Sequence, residues 1–247
     1  ILTKAQAEHA DDLGLWCARV DLAVLRGRID EADQMLRDAA TRFHDPLPIR
    51  LAQIRLWGLR GNADDLAQLA LITKTSFRRQ DQTRILRELG DTWHRLGRLD
   101  RAESVWRELA HRLPKDLRSR FALFELALQM NQPALAREWI GELKKIEGDK
   151  GWLWRFGDAA LLVHTASSQR GQLDEARKKL EDLERTHKKW SRIPLLKGAI
   201  AEREGKIHQA IHEYTRAIDL GAQRPAVVVH LVELLVERRE FGKAELE

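Results

Sequence analysis

Residues able to do chemistry are few in this 247-residue chain. The best metal candidate is His208 with His212, one helical turn apart, with Glu213 beside them. Zinc takes four protein ligands in structural sites and three plus water in catalytic ones, and no cysteine pair accompanies these histidines. Both also fall off the apolar stripe of Ala210, Tyr214 and Ala217, so they read as solvent-facing. Cys17, the single cysteine, lies on an apolar stretch beside Trp16 and reads as a small buried hydrophobe. His164 reads as a core histidine. The chain carries no GxSxG, no glycine-rich phosphate loop and no HExxH. The expectation is a non-enzyme with no metal and no cofactor.

What remains is recognition by charge and by apolar surface. The 43 Lys and Arg against 38 Asp and Glu give a net +5, unevenly spread. Residues 1–46 sum to −3 and 225–247 to −2, leaving +10 on the middle of the chain. Basic side chains recognise carboxylates or phosphates only if a scaffold gathers them on one face. With 43% hydrophobic and 33% charged residues the chain has the composition of a folded protein rather than a disordered one. No run of about 18 uncharged apolar residues is present, and no basic start precedes an apolar segment, so neither a spanning helix nor a signal peptide is expected. A soluble protein follows, and the lone cysteine leans slightly toward a reducing, cytoplasmic setting. The chain opens on Ile1, which suggests a piece of a longer protein.

The scaffold is visible as a repeat. Blocks of one kind recur: GRIDEA from Gly27, GNADDL from Gly61, GRLDRA from Gly97, NQPALA from Asn131, GQLDEA from Gly171, GKIHQA from Gly205 and REFGKA from Arg239. Their starts are separated by 34, 36, 34, 40, 34 and 34 residues. Each block predicts a tight turn followed by a helix start. Apolar residues at helical spacing flank it, as in Leu86, Leu89, Trp93 before the third turn and Ala102, Trp106, Leu109 after it. Nothing alternates with period two, and no proline falls inside a predicted helix.

The stretch Leu86, Leu89, Gly90, Trp93, Ala102, Trp106, Pro114 resembles the signature of the tetratricopeptide repeat (TPR). The resemblance covers nearly the whole chain. It implies an all-α protein, an α/α superhelical solenoid of about seven helical hairpins at 13–46, 47–80, 83–116, 117–150, 157–190, 191–224 and a truncated 225–247, preceded at 1–12 by the end of a helix or a linker. The small residue at position 20 of each repeat is Ala32, Ala102, Ala136, Ala176, Ala210 and Ala244, with Leu66 as the exception. The family places first helices on a concave groove and second helices outside. Cut inside its second helix, the last repeat is expected to expose Phe241 and Ala244 and to favour self-association.

In this register the groove positions of repeats two to four hold Arg55, Arg84, Arg87, Asp91, His94, Arg95, Arg118, Phe121, Glu125 and Leu128. Arginine forks beside apolar patches suit a partly hydrophobic, acidic peptide or helix of a protein partner. A second candidate is GWLWRF, which carries Trp152, Trp154 and Phe156 in the insert between repeats four and five; the competing reading is that it lengthens the next helix backwards and packs on repeat four. The expected function is a non-catalytic protein-interaction scaffold. A nucleic-acid-binding basic solenoid stands second, since position 5 shows no regular set of base-reading side chains, and regulation in cis of an enzyme outside this piece stands third. A chaperone-tail clamp is disfavoured, because Asn62 and Asn131, the only asparagines, lie in turns.

Overall fold

The computed structural model describes residues 11–44, 46–166, 170–222 and 225–244, apart from the side chains of 72–76, 170 and 238–244. Among the described residues there are thirteen α-helices and no strand. They are α1 (Leu13–Leu25), α2 (Ile29–Arg42), α3 (Leu47–Arg60), α4 (Ala63–Ser76), α5 (Arg79–Arg95), α6 (Leu99–Arg112), α7 (Leu117–Gln129), α8 (Pro133–Glu147), α9 (Trp152–Thr165), α10 (Arg170–Thr186), α11 (Arg192–Arg203), α12 (Ile207–Asp219) and α13 (Pro225–Ala244). The first twelve follow one another as six first and second helices, α5 beginning four residues before the expected 83 and α9 five before the expected 157. First helices of neighbouring pairs also touch one another, α1 with α3, α3 with α5, and α9 with α11.

Five of the seven blocks make the same turn. Gly27, Gly61, Gly97, Asn131 and Gly205 all have φ between 54° and 72°, the left-handed region that glycine enters without a Cβ penalty. Behind each, the next residue donates its N–H five residues back, as in Arg28 to Ala23 (2.9 Å), Arg98 to Trp93 (2.9 Å) and Gln132 to Ala127 (2.8 Å). The left-handed residue itself donates three residues back, so two orphan carbonyls of the first helix are satisfied at once. The other two blocks behave differently. Gly171 lies inside α10, and the residues just before that helix, 167–169, fall outside the described residues. REFGKA lies inside α13, which runs unbroken for 20 residues with no turn at Gly242, so the expected seventh hairpin is a single helix here. The side chains of Phe241 and Ala244 are outside the described residues.

The helix crossing explains the alanines. Ala32, Ala102, Ala136, Ala176 and Ala210 are each 0% exposed, and Leu66 takes the same place in the second pair. Opposite them, a Cβ on Gly90 would stand 2.4 Å from Trp106 Nε1, and one on Gly198 2.7 Å from Tyr214 Cε1. A ring fills the space that a larger side chain on the first helix would need. Trp93, Trp106 and Tyr214 are buried, as expected for packing positions. Where position 8 is large, Ile54 and Phe124 are buried too, but His164 is half-buried and reaches Asn131 Oδ1 at 3.1 Å rather than sitting in the core.

Two compact units divide the chain after Ser119, inside α7. The first has a core around Val20, Ala23, Leu36, Ile49 and Leu56, with Cys17 half-buried beside it and its thiol pushed up chiefly by burial. In the second, charges stitch one hairpin to the next. Glu184 of α10 binds Lys197 of α11 (2.6 Å) and Arg216 of α12, and Arg177 of α10 binds Glu204 at the end of α11. Burial pushes the Glu184 carboxyl up, but these two cations outweigh it and hold it below the usual carboxylate value.

Helix α13 docks through Leu231 and Leu234 against Ala201, Ala210 and Tyr214. Beside this apolar contact, Glu202 Oε2 of α11 accepts from Tyr214 Oη of α12 at 2.8 Å and lies 2.8 Å from His230 Nε2 of α13. The Glu202 hydrogen bond raises the His230 pKa above its ordinary 6.5, with Glu233 adding to the effect. Burial works against ionised Glu202, yet the bonds from His230 and Tyr214 keep its carboxyl below its ordinary 4.5.

Two outcomes follow from this packing. Ala102→Leu forces extra methylenes into a closed crossing and costs about 1–3 kcal/mol by denaturant unfolding; an unchanged midpoint contradicts the register. His230 is raised, so its contribution to α13 docking is complete below about pH 6.5 and fades as pH climbs through the raised value. Amide-exchange protection of Leu231 and Leu234, corrected for intrinsic rates, therefore drops as pH rises above about 6.5 in the parent chain and stays level in His230→Gln; equal profiles rule the linkage out.

Candidate functional site

In the first unit the groove-position arginines have two fates. Arg87 Nη2 lies 2.8 Å from Asp116 Oδ1, and Asp116 also accepts from the N–H (3.0 Å) and hydroxyl (2.7 Å) of Ser119. Arg118 Nη2 meets Asp91 Oδ2 at 2.6 Å. These two pairs tie α5 to the start of α7, so the expected acidic partners of Arg87 and Arg118 are already supplied by the chain. Arg95 is exposed and donates to Thr92 Oγ1 (2.8 Å), one turn back on its own helix. Arg55 is exposed and donates to the Leu51 carbonyl (3.3 Å). Arg84 is exposed, and among the described residues no ion pair holds it. His94 is half-buried with its ring 5.5 Å from that of Trp106. Arg55, Arg84 and Arg95 are thus the exposed groove-position arginines that no ion pair holds among the described residues. One turn after Arg55 on α3, Leu59 stands 68% exposed.

In the second unit the aromatic residues gather. Phe121 is buried, its ring 5.6 Å from Phe124, 6.0 Å from Phe156 and 6.3 Å from Trp190. Trp190 stands edge-on to Phe156 (4.5 Å) and to Trp152 (4.6 Å), and Trp152 stacks on His187 at 4.5 Å. The Arg192 guanidinium lies over the Phe121 ring at 4.9 Å and binds Glu125. GWLWRF therefore opens α9 as helix: Trp152 and Phe156 join this cluster, while Trp154 turns to α8, donating to the Gly148 carbonyl (3.0 Å) under Lys144 (4.7 Å). Glu147 fixes that helix start by accepting from the N–H groups of Leu153 (3.2 Å) and Trp154 (3.0 Å), two of the orphan donors of the first turn. The segment extends the helix and packs on repeat four, the competing reading of the sequence.

Above the cluster the first helices α7, α9 and α11 leave a cleft of about 390 Å³, within the size range of small-ligand sites. Phe124, Leu128, Phe156, Ala160, Leu195, Leu196 and Ala199 line it, the turn at Gly221 and Ala222 closes one side, and Glu125, Arg192 and Ser191 are its polar members. Of the expected site residues, Glu125, Leu128 and Phe156 come together here, whereas Phe121 sits beneath, in the cluster. Leu195, Leu196, Ala199 and Arg192 were not among the expected residues. The signal is in the register, since Leu195 holds the same position 5 as Phe121, two repeats further on.

Elsewhere the chemistry is sparse. His208 and His212 are exposed while Glu213 is buried and pairs with Arg216 at 3.2 Å, so the three side chains do not converge. Among the described residues no group of three His, Cys, Asp or Glu could hold a metal ion, and no helix is long and apolar enough to cross a membrane.

Paired helices of near-constant period, with a left-handed residue between members in five pairs and a methyl-sized contact at five crossings, match known structures. A tetratricopeptide repeat protein from Parabacteroides merdae superposes with a TM-score of 0.51 at 14% identity, covering 89% of this chain and 96% of that one. The fold is the tetratricopeptide-repeat fold. Yeast Tom70 matches with a TM-score of 0.54 at 14% identity over 85% of this chain and 44% of its own, and the Cut9–Hcn1 hetero-tetramer of the APC/C with 0.55 at 12% identity over 96% and 45%. The chain thus spans less than half the length of those two TPR structures. No family model matches the sequence, and no curated protein does.

Because Phe121 is a core member rather than an open groove residue, Phe121→Ala destabilises the chain by about 3–5 kcal/mol. Denaturant unfolding measures this, and a midpoint equal to the parent's would show that the ring is not part of the core.

Proposed function

We propose that this TPR chain is a non-catalytic protein-interaction scaffold, which holds a peptide or helix of a partner protein on its first-helix, concave face. The observation that carries this reading is the apolar cleft bounded by the first helices of three successive repeats, α7, α9 and α11. Burial of apolar surface drives most protein association, and an open, mainly apolar cleft on an otherwise charged chain is where that gain is available. The Cut9 structure, which contains Hcn1 as a second protein, shows the same fold in a protein assembly. Exposed Arg55 and Arg84 on the first helices of the other unit favour acidic residues in the partner.

The reading is tested by selecting 12-residue peptides from a display library with the whole chain. Arg55→Glu with Arg84→Glu weakens acidic peptides at least about tenfold while the melting midpoint holds, since exposed charges contribute little to folding. Binding to a protein segment also keeps much of its strength from low to moderate salt, whereas a nucleic-acid ligand loses it steeply through counterion release. Peptides bound equally well by the double variant and by Leu195→Glu would place the site elsewhere.

A further inference from the structure

The first hairpin gathers a cluster of charge that the groove face does not use. Arg19, Leu22, Ala23 and Arg26 follow at helical spacing and share one face of α1. Arg28, at the cap of α2, and Glu31 and Met35 within it fall one above another in the same way. Between these two faces, beside the left-handed turn at Gly27, lies a cavity of about 110 Å³ that these side chains line.

Three arginines and a single carboxylate surround it. Glu31 lies 3.4 Å from Arg28, and the adjacent Asp30 is taken by Arg60 at 2.7 Å. Arg19 is half-buried and Arg26 exposed, and among the described residues neither side chain has an ion pair or hydrogen bond. The places three and four residues away along α1 are Leu15, Trp16, Leu22 and Ala23, none of them acidic. Arg37 and Arg42 of α2, by contrast, each meet an aspartate. The helix ends do not settle the charge either. The carbonyls of Leu22, Ala23 and Val24 that close α1 accept from the N–H groups of Arg26, Arg28 and Gly27 (3.1, 2.9 and 3.0 Å), and α2 starts beside them, so opposite dipole ends meet and offset one another. The cavity therefore keeps a surplus of two positive charges.

That surplus selects the ligand. Guanidinium forks engage oxyanions through directed N–H···O bonds. The space equals a few water molecules at about 30 Å³ each, far below that of a drug-sized site, so it admits one small group and no ring system. A carboxylate leaves one charge unmatched, and so does a nucleic-acid backbone phosphate with its single charge. A terminal phosphate, with about −1.5 to −2 charge at neutral pH and three acceptor oxygens, matches both the charge and the donors.

We propose that the cavity between α1 and α2 is a phosphate site, in which Arg19, Arg26 and Arg28 hold a terminal phosphate dianion, either free or borne on a side chain of a partner. The site lies on the first hairpin and stands independently of the scaffold reading.

The test uses the whole chain and two probes. One is sodium phosphate, compared with sodium chloride and sodium acetate at equal ionic strength. The other is a short glycine peptide with one central phosphoserine, compared with its unphosphorylated twin. Calorimetry and the melting midpoint report binding, since a ligand held only by the folded chain raises the midpoint. The expected result is saturable binding of a phosphate probe, with the controls at least about tenfold weaker. Arg19→Gln with Arg26→Gln costs at least about tenfold in affinity while the unliganded midpoint holds. Glu31→Gln, which removes the competing carboxylate, tightens binding. Phosphate held as tightly as the peptide assigns the free anion, and a tighter peptide assigns a phosphorylated partner. If the double variant melts early, Arg26→Gln alone, at the exposed position, decides. Absence of saturable binding by both probes, a response that chloride reproduces, or binding undiminished in the arginine variants overturns the proposal.

Discussion

A methyl-sized side chain near the start of the second helix, in five of the six pairs, is the constraint on which this molecule depends. Five alanines at that place are fully buried, and two first helices answer with a glycine against a tryptophan or tyrosine ring. Close approach there lets the second helix lie along the first, and the left-handed turn between them fixes the reversal in two residues. Once a pair is locked this way, first helices of successive pairs touch within each unit, α1 with α3 and α3 with α5 in the first and α9 with α11 in the second. Those helices are the surface on which any partner reading rests. In a repeat architecture each pair contacts only its neighbours, so these local crossings carry the stability that a closed core supplies in a globular domain.

The charges divide their labour in a way that a simple basic-groove picture misses. Arg87, Arg118, Arg177 and Arg216 are spent on acids of an adjacent helix, joining one repeat to the next. Exposed pairs contribute little individually, but here they sit at repeat junctions and are partly buried in several cases, where they fix register. What remains for a ligand is a small set of exposed arginines in one unit and a neutral, apolar cleft in the other. Net charge alone therefore overstates how much of this surface is available to an acidic partner.

Much of the fold was legible because its rules are local. The period, the glycine turns, the alanines and the Gly90–Trp106 contact are all encoded within one repeat, and five of the seven expected turns form where their blocks stand. The misses have physical causes. Gly242 carries the turn residue, yet α13 continues through it, and Gly171 falls inside α10; at GWLWRF the helical reading, the stronger of the two in the sequence, is the one the chain takes, with Glu147 capping the first turn from the preceding helix. The site was less legible, because position in a helix says which face a side chain starts from and not whom it meets. Phe121 shares a register position with half-buried residues such as Leu51, Arg87 and Leu195 and exposed Val229, yet is covered by Trp190 and Arg192, which arrive from the next two repeats. The cleft forms between elements about 40 to 70 residues apart, and only the register carried through repeats five and six would have pointed to it.

The central claim is that the first helices, and not the second, hold the partner. Amide exchange measured with and without a bound library-selected peptide tests it most directly. The account predicts added protection in α7, α9 and α11 around Leu128, Ala160 and Ala199, with α8, α10 and α12 unchanged. Protection confined to the second helices would contradict it.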